Sequence, residues 1–507
     1  MTNTMTRLLL YYALITYAIV QAQNPLGLRA ASNLRGILFG TAVDVVHLQN
    51  NADDGQYNNQ IKNNYDLVVP ENELKPQPIW KGENMYDFTD PDFLLGAPNA
   101  TGWVQQNLMK IRGHNLVWAY DEWVPEWLLK AESTITPDKA KQLLSDYIHT
   151  VVGRYRGKIL CWDVINEAVD DRTNANPLNI KDSFWLRKLG IDYLKYAFMF
   201  AHEADPDVKL YYNEYAIEYA GVKANRTLAL VNWLRSQGAV VDGVGLQWHI
   251  GVSTDITPGD SHYQSAQQFI DNGLEIMVTE LDVAIPTKGG YPIDSHDLQK
   301  QADVYASMLN YVLHFSPNCK AMLTWGFTDR YSWIPQFTDD KDGDALPLDW
   351  MYLPKSAYWK MLDIMTHILD DGVYRLSPQA EPNKCLGISQ SPTSNDVQLY
   401  NDGCNNAYEK WNITWLGDGT YRFSSVRDQK RVLGAYNTTA SVGGVQTYQW
   451  TGDVNQEWAF SARGNNTYRV VIRTAWWRVM SVYGTSDQIG IIDPSSSGHQ
   501  NWILTKL

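Results

Sequence analysis

Short apolar runs alternate with amphipathic segments along most of this chain, and this alternation restricts the fold more than any other feature. Eight runs have the length and composition of buried strands: residues 37–43, 67–70, 108–118, 159–165, 208–212, 241–248, 274–281 and 321–327. Helical periodicity lies between several of them, at residues 137–155, 191–204, 227–238 and 297–314. Eight strands joined by helices over roughly 330 residues predict a (β/α)8 TIM barrel of the α/β class. An open doubly wound sheet is the alternative.

Two of these runs end in a carboxylate. The run 159–165 leads into Asn166-Glu167, and the run 274–281 ends around Glu280. A strand that simply surfaces into a polar loop would explain either residue alone. Amides and carboxylates are costly to bury without partners, so two such strand ends together suggest a paired-carboxylate site.

Polar and aromatic side chains follow the other runs as well, and all strands of a barrel end at one face. Each residue taken singly would be explained as a hydrogen-bonded rim residue. Together they predict a cleft of carboxylates, amides, imidazoles and indoles, which an open sheet would not easily explain. They are Glu71, Asn72, His114, Trp118, Asn166, Glu167, Asn213, Tyr215, Gln247, His249, Glu280, Asp282 and Trp325.

A cleft of this composition suits hydrolysis of a glycosidic bond. One carboxyl group must donate a proton, and a second must attack the anomeric carbon or activate water. The donor needs a raised pKa, whereas the other carboxylate must stay ionised and needs hydrogen-bond donors. We expect His249 to bond Glu280, with Asp282 fixing the tautomer of His249. Asn166 can bond a sugar hydroxyl, and Trp325 and Trp333 offer flat faces for stacking.

Composition excludes several classes of partner. The chain has 507 residues and a formal net charge of −14, which argues against nucleic acid and anionic membranes. No grouping of His, Cys and Asp has the spacing of metal ligands, so we expect neither metal nor cofactor. The 20 Trp and 30 Tyr suit a sugar-binding surface, although aromatic residues also fill cores.

The N-terminus has the pattern of a secretory leader. Arg7 precedes an apolar stretch from Leu8 to Val20, and small residues stand at the cleavage positions up to Ala22. An uncleaved anchor is the alternative, but about a dozen apolar residues are few for crossing a bilayer. We therefore predict a signal peptide over residues 1–22 and an extracellular protein. Glycosylation sequons fit this location and begin at Asn99, Asn225, Asn412, Asn437 and Asn465.

Beyond residue 368 the pattern changes to a threefold repeat. Tyr-Arg-apolar triplets begin at residues 374, 421 and 468, a constant step of 47 residues. Each unit ends near a Trp, at Trp411, Trp458 and Trp502. Short β-rich units cannot each bury a core, but three packed about a pseudo-threefold axis can. Residues 372–507 are therefore predicted to form one compact all-β domain.

The four cysteines are too few for a disulfide scaffold. Cys385 and Cys404 stand 19 residues apart in the repeat region and can close a loop in an oxidising compartment. Cys161 and Cys319 are expected to be buried thiols.

Several motifs in the barrel region belong together. In chain order they are Gly40-Thr41-Ala42, Glu71 to Lys75, Arg112 to Trp118, Trp162 to Ala168, Asn213-Glu214-Tyr215, Gly245 to His249, Thr279 to Asp282, and Thr324 to Asp329 with Ser332-Trp333. This ordered set resembles the family-10 glycoside hydrolases, mostly endo-β-1,4-xylanases, from about Gly40 to Tyr358.

The resemblance implies a role for each matching residue. Glu167 is expected to be the general acid/base and Glu280 the nucleophile of a retaining mechanism. Glu71, Asn72 and Lys75 are implied to bind the sugar one unit away from the cleaved one. The other implied substrate contacts are His114, Trp118, Asn166, Tyr215, Gln247, His249, Trp325 and Trp333, with Asp282 and Asn213 supporting the carboxylates.

Two stretches depart from the family pattern, both on the glycone side. After Trp118 the family usually continues with a His and, two residues later, a Gln that touches substrate. Here residues 119–125 form a longer loop of different residues, and the usual Trp after Lys75 is Pro76.

The C-terminal repeats resemble the ricin-type β-trefoil, including the Gln-x-Trp endings and a Cys385–Cys404 pairing. Such modules usually bind galactose or xylose units, with an Asp that bonds the sugar in each repeat. This chain has Gly387, Gly434 and Ser481 at those positions. The trefoil then binds through aromatic residues, binds weakly, or is only structural; the candidate aromatic residues are Tyr400, Tyr448 and Trp450. The Trp of each ending is expected in the core.

These inferences give one leading hypothesis and two alternatives. The leading hypothesis is a secreted, monomeric endo-β-1,4-xylanase acting on xylan, with a signal peptide over 1–22, a barrel domain over 23–368 and a trefoil over 372–507. A related retaining glycanase acting on glucan or mixed-linkage chains is the second hypothesis. The third is a lectin built on an inactive barrel, and the presence of both carboxylates with their supporting residues argues against it.

Overall fold

The computed structural model describes residues 27–507 apart from 177, 295, 392, 393, 418, 465, 466, 484–487 and 496. The predicted leader and the sequon at Asn465 thus lie outside the described residues. Within the described part of the chain, none of the helices has both the length and the apolar character needed to span a membrane. The chain forms two units, one of Ile37–Met361 and one of residues 27–36 with Leu362–Leu507. The domain bounds 23–368 and 372–507 stay a prediction.

Eight parallel strands close into a barrel in the first unit, which confirms the predicted fold class. They are Leu38–Val43, Leu67–Pro70, Lys110–Trp118, Cys161–Asn166, Lys209–Glu214, Gly243–Leu246, Glu275–Lys288 and Cys319–Thr324. Each strand pairs with the next along the chain, and the last pairs with the first, so that Ala321 lies opposite Leu38. The open-sheet alternative is wrong because it would leave these two strands unpaired.

Helices connect the strands. The helix Pro137–Arg154 begins as predicted, because Thr136 caps it by accepting a hydrogen bond from the Lys139 amide and Pro137 fits its first turn. The helix predicted to begin at residue 227 begins earlier, at Val222. The prediction missed its first turn because Val222 and Asn225 are exposed there, and the turn lacks the apolar periodicity of the rest of the helix. The other helices of eight or more residues in this unit are Gln56–Asn64, Asp192–Ala204, Ser261–Asp271 and Asp297–Phe315, and Ser356–Thr366 spans the division between the units.

The seventh barrel strand continues to Lys288, well beyond its predicted end at residue 281. The added part leaves the barrel and pairs with three short strands that have weak sequence signals, His249–Gly251, Tyr291–Pro292 and Asp342–Gly343. Asp282 lies opposite His249 in the first of these pairings. The extension therefore places the His249 imidazole beside Glu280 and Asp282 at the strand end.

The second unit contains three sets of four strands among its described residues, in step with the repeat. The sets are Gly372–Pro378, Cys385–Ile388, Val397–Tyr400 and Trp411–Trp415; Tyr421–Ser425, Arg431–Tyr436, Gly443–Gln449 and Trp458–Gly464; and Thr467–Ile472, Ala475–Tyr483, Gln488–Ile492 and Trp502–Lys506.

The repeat Trp residues occupy equivalent places in this unit. Trp411, Trp458 and Trp502 are fully buried. Each indole donates a 2.9 Å hydrogen bond to a backbone carbonyl at an equivalent position, and the acceptors are Leu386, Leu433 and Met480. The same bond in every repeat confirms the threefold architecture and assigns these indoles to the core.

The cysteines follow the prediction. Cys385 and Cys404 form a disulfide with their Cα atoms 5.6 Å apart, whereas Cys161 and Cys319 are free and buried. The N-terminal helix Leu28–Arg35 belongs to the same unit as the disulfide, and its Arg35 side chain donates to the Met365 carbonyl at 3.1 Å.

Candidate active site

A cleft of about 890 Å³ opens where the barrel strands end. Every predicted catalytic and substrate-binding residue lines it: Glu71, Asn72, Lys75, His114, Trp118, Asn166, Glu167, Tyr215, Gln247, His249, Glu280, Trp325 and Trp333. The two predicted supporting residues, Asn213 and Asp282, lie behind the cleft wall and are 0% and 1% exposed. Residues from separate strand ends are therefore brought to one site.

Glu167 stands directly after the strand Cys161–Asn166. Its φ of 56° lies in a region that residues with a side chain seldom adopt, and its amide donates to the Asn213 carbonyl at 2.9 Å. The Oε1 atom accepts hydrogen bonds from Gln247 Nε2 at 2.8 Å and from Asn166 Nδ2 at 3.2 Å. Both donors are neutral amides, an arrangement that orients the carboxyl group without an ion pair.

Glu280 has a different set of partners. Its Oε1 accepts from Asn213 Nδ2 at 2.7 Å, and its Oε2 lies 3.1 Å from His249 Nε2. Burial works to raise the pKa of Glu280, but the hydrogen bond from His249, nearby imidazole charge and the Asn213 amide outweigh it, so the pKa is below its usual value. Glu280 is therefore held as a carboxylate.

His249 joins Glu280 to Asp282. Its Nδ1 lies 2.8 Å from Asp282 Oδ2, while Nε2 faces Glu280. Burial works to lower the pKa of His249, but the two carboxylates dominate and raise it well above its ordinary value. The imidazole is thus an imidazolium that donates from both nitrogens.

Three amides bridge the two carboxylates. Asn213 Nδ2 donates to Asn166 Oδ1 at 2.8 Å as well as to Glu280, and Gln247 Nε2 lies 3.5 Å from the same Asn166 oxygen. A continuous network of amides therefore leads from Glu167 to Glu280. It fixes the two carboxyl groups relative to each other and gives each a separate environment.

The loop after the strand Leu67–Pro70 adds a second charged group to the cleft. Lys75 Nζ donates to Asn72 Oδ1 at 2.9 Å. Burial lowers the pKa of Lys75 to about 8, against the charges of the nearby carboxylates. Burial also raises the pKa of Glu71 to about 7, although Lys75 opposes the shift. The net charge of Glu71 and Lys75 consequently changes near neutral pH.

Aromatic side chains wall the cleft beside Glu280. The ring centroid of Trp325 lies 5.3 Å from that of His114, and the centroid of Trp333 lies 5.1 Å from that of His249. His114 Nδ1 is in turn 3.0 Å from Asp163, a buried carboxylate that also accepts from Arg112 Nε at 3.0 Å. The imidazole orientation is thus set from inside the barrel.

Tyr215 is held at the cleft by residues of the segment that follows Glu167. Its hydroxyl donates to Asp171 at 2.6 Å and accepts from Lys181 at 3.3 Å. Lys223 Nζ lies 3.2 Å from the Tyr215 ring centroid and 3.0 Å from buried Glu214. These contacts fix the ring at the rim, where it can meet a bound sugar.

Further residues line the cleft to which the motifs assigned no role. They are Tyr120, Glu122, Trp123, Ala216, Glu218, Tyr219, Trp248, Ile250, His262 and Phe337. Tyr120, Glu122 and Trp123 belong to the loop already recognised as unusual, which was the available signal. Phe337 is 72% exposed in a short helix that no sequence pattern connects to the site.

The titratable and amide side chains in the cleft include carboxyls, an imidazolium and amides. No group of three or more His, Cys, Asp or Glu among the described residues could hold a metal ion. A (β/α)8 barrel with two differently held carboxyls in an aromatic cleft at the strand ends defines the class: a barrel glycoside hydrolase.

Family comparisons agree with this class. The profile described as "Glycosyl hydrolase family 10" matches residues 27–364, and the chain belongs to that family. The profile "Ricin-type beta-trefoil lectin domain-like" matches residues 407–491, which confirms the resemblance of the C-terminal repeats.

Individual relatives match the barrel. The endo-1,4-beta-xylanase B of Thermotoga neapolitana is 33% identical over 322 residues, covering 63% of this chain and 86% of that protein. A xylanase structure from Thermotoga petrophila in complex with xylobiose has 32% identity and a TM-score of 0.60, covering 67% of this chain and 97% of that one. A protein of Acetivibrio thermocellus named exoglucanase XynX is 31% identical over 335 residues, covering 64% of this chain and 28% of that protein.

Proposed function

We propose that this protein is a secreted, retaining endo-β-1,4-xylanase that hydrolyses internal bonds of xylan. The observation that supports it most is the amide network that joins Glu167 to Glu280 while giving them different partners. Relatives named endo-1,4-β-xylanases and a relative solved with xylobiose support the substrate class.

The two carboxyl groups divide the chemistry. Glu280, ionised through its contact with His249, attacks the anomeric carbon, while Glu167 gives its proton to the departing glycosidic oxygen. The product is a glycosyl ester on Glu280. Glu167, now a carboxylate, takes a proton from water, and the hydroxyl oxygen of that water displaces Glu280. Two inversions at the same carbon retain its configuration.

The remaining cleft residues bind the chain on either side of the cleaved bond. His114, Trp118 and Asn166 contact the sugar at the cleavage point in this proposal, and Glu71, Asn72 and Lys75 bind the next glycone unit. Trp325 and Trp333 wall the site near Glu280, with Gln247 and His249 oriented toward the carboxyl groups. Tyr215 contacts the sugar on the leaving-group side.

Secretion and a monomeric state belong to the proposal as well. The leader pattern, the disulfide and exposed sequon residues at Asn99, Asn225 and Asn437 support an extracellular, glycosylated protein. The proposed reaction uses only residues that this chain supplies to the cleft. The acidic net charge of −14 supports a neutral polysaccharide as partner in preference to nucleic acid or an anionic membrane.

A related glycanase acting on glucan is the second candidate. The unusual loop 119–125 on the glycone side and the relative named an exoglucanase favour it. A panel of xylan, cellulose and mixed-linkage glucan decides between the two, since the proposal expects short xylo-oligosaccharides from xylan and little product from the glucans.

The catalytic assignment has its own test. Glu280→Ala is expected to remove essentially all turnover, whereas Glu126→Ala, at a carboxylate whose side chain is 75% exposed, serves as the matched control. Proton NMR of the first products reports the anomeric configuration. Undiminished activity of Glu280→Ala would overturn the nucleophile assignment, and products of inverted configuration would overturn the retaining mechanism.

A further inference from the structure

The loop after the strand Lys110–Trp118 brings an additional indole to the cleft. Trp123 ends the short 3-10 helix Asp121–Trp123, and Asp121 anchors this helix by accepting hydrogen bonds from the Phe184 amide at 2.7 Å and from Arg187 at 2.6 Å. Trp123 lines the cleft and is only partly buried. The loop is therefore held in place, and its indole has surface available to a ligand.

The position of Trp123 is defined by two neighbours. Its ring lies nearly parallel to that of Trp118, with centroids 4.8 Å apart and planes at 15°. Lys75 Nζ lies 4.2 Å from the Trp123 centroid and also bonds Asn72. Trp123 is thus adjacent to the Glu71, Asn72 and Lys75 group.

Trp118 is placed between Trp123 and the reacting groups. Its centroid is 6.3 Å from that of His114 on one side and 4.8 Å from that of Trp123 on the other. Trp118 covers one face of the Trp123 ring, so the opposite face is the one available for stacking. In the proposed function Asn72 and Lys75 bind the sugar next to the cleaved one on the glycone side, and Lys75 lies beside Trp123. A sugar that meets Trp123 is therefore assigned to that neighbouring glycone position, and the flat apolar face of a pyranose suits an indole.

We propose that Trp123 is a substrate-binding residue that stacks on the sugar one unit beyond the cleavage point, on the glycone side. This inference rests on the proposed function. It assigns part of the affinity for the second glycone unit to the loop 119–125. The other part comes from the group of Glu71, Asn72 and Lys75. Binding energy gained on this remote unit helps to position the reacting one.

Two activated substrates that differ by one sugar test the assignment. The compound 2,4-dinitrophenyl β-xylobioside occupies both glycone positions, whereas 2,4-dinitrophenyl β-xyloside occupies only the first. Trp123→Ala is expected to lower kcat/KM about tenfold on the xylobioside and to change it little on the xyloside. Trp123→Phe keeps a flat ring and should retain most of the activity on both.

Two further variants complete the experiment. Trp123→Leu keeps apolar volume against Trp118 without a flat face, so it should show the same selective loss even if the alanine variant folds poorly. Trp350→Ala removes a 61% exposed indole outside the cleft lining and should leave both substrates unaffected. Equal losses on the two substrates, or no loss on either, would overturn the role of Trp123. Failure of the wild-type protein to cleave the xylobioside would instead overturn the proposed function.

Discussion

The indole nitrogen of Trp333 donates a hydrogen bond to Asp282 Oδ2 over 2.9 Å, and His249 Nδ1 contacts the same oxygen at 2.8 Å. Trp333 faces the cleft, whereas Asp282 is buried behind it. One side chain that can touch substrate therefore also orients the carboxylate that holds His249 against Glu280. Trp333 in the cleft wall and His249 beside Glu280 therefore bond the same oxygen atom of Asp282.

Replacing Trp333 with Phe separates these two roles. The variant keeps a flat ring in the wall but removes the donor to Asp282, so we expect kcat to fall about tenfold with a smaller change in KM, since hydrogen bonds to charged groups contribute about 1.5–3 kcal/mol. Steady-state kinetics on xylo-oligosaccharides measure the split. Trp350→Phe is the matched control. A raised KM with unchanged kcat would mean that Trp333 acts only by stacking.

His249→Asn should shift the pH dependence of the reaction. The hydrogen bond from His249 is the strongest of the contacts that bring the pKa of Glu280 below its ordinary value against the effect of burial, so removing His249 raises this pKa. In the proposed mechanism Glu280 must lose its proton to act, so activity falls as acid protonates it. The acidic limb of kcat/KM is therefore expected to move to higher pH in the variant.

The measurement is a pH profile of kcat/KM on an activated xylobioside, for which leaving-group protonation matters least. Gln299→Asn, on an exposed helical position remote from the cleft lining, gives the reference profile. An acidic limb that stays in place while the maximum falls would show that His249 positions Glu280 without setting its pKa.

Glu71→Gln should change how stability depends on pH. Burial raises the pKa of Glu71 from 4.5 to about 7, so its charged form is disfavoured in the folded protein. Below pH 4.5 the Glu71 carboxyl is protonated in both the folded and the unfolded chain, so it does not change the free energy of unfolding. As pH rises from 4.5 to about 7, the unfolded chain loses this proton before the folded one does, so the wild-type protein loses stability that the amide variant keeps.

Thermal unfolding at pH values below, within and above that window tests the sign. The midpoint of Glu71→Gln relative to wild type should rise with pH across it and then level off. Glu126→Gln, with its exposed side chain, should show no such trend. A difference between Glu71→Gln and wild type that is constant with pH would contradict the assigned cause.

The sequence was sufficient for the barrel and the cleft, because both depend on regular patterns. Buried parallel strands are apolar runs, and residues such as Glu167 and Glu280 follow them directly, so their convergence follows from barrel geometry. The 47-residue step likewise predicted the threefold unit. The presence of Trp123 and Phe337 in the cleft could not be predicted in this way, because their segments are placed there by contacts between parts of the chain that are distant in sequence. Asp121 with Arg187 is one such contact, and no local periodicity encodes it.

The trefoil glycines provide the last test, since they occupy positions where related modules place a sugar-binding Asp. A Cβ at Gly387 would lie 2.8 Å from the Tyr408 carbonyl oxygen and 2.9 Å from the Tyr400 ring, and one at Gly434 would lie 2.7 Å from the Tyr448 ring. The Tyr400 and Tyr448 rings thus lie directly against these glycine positions. Gly387→Ala is expected to destabilise the protein by about 1–3 kcal/mol through overpacking against a backbone oxygen that cannot rotate away.

Gly153→Ala is the matched control, because the space beside Gly153 is open and the residue lies within the helix Pro137–Arg154. That substitution should stabilise the helix by at most about 0.5–1 kcal/mol, since Gly153 lies in the last turn. Scanning calorimetry of both variants measures whether each substitution lowers or raises the stability of the protein. A neutral Gly387→Ala would show that the Tyr400 ring and the Tyr408 backbone yield to the added methyl group, which would contradict the expected overpacking.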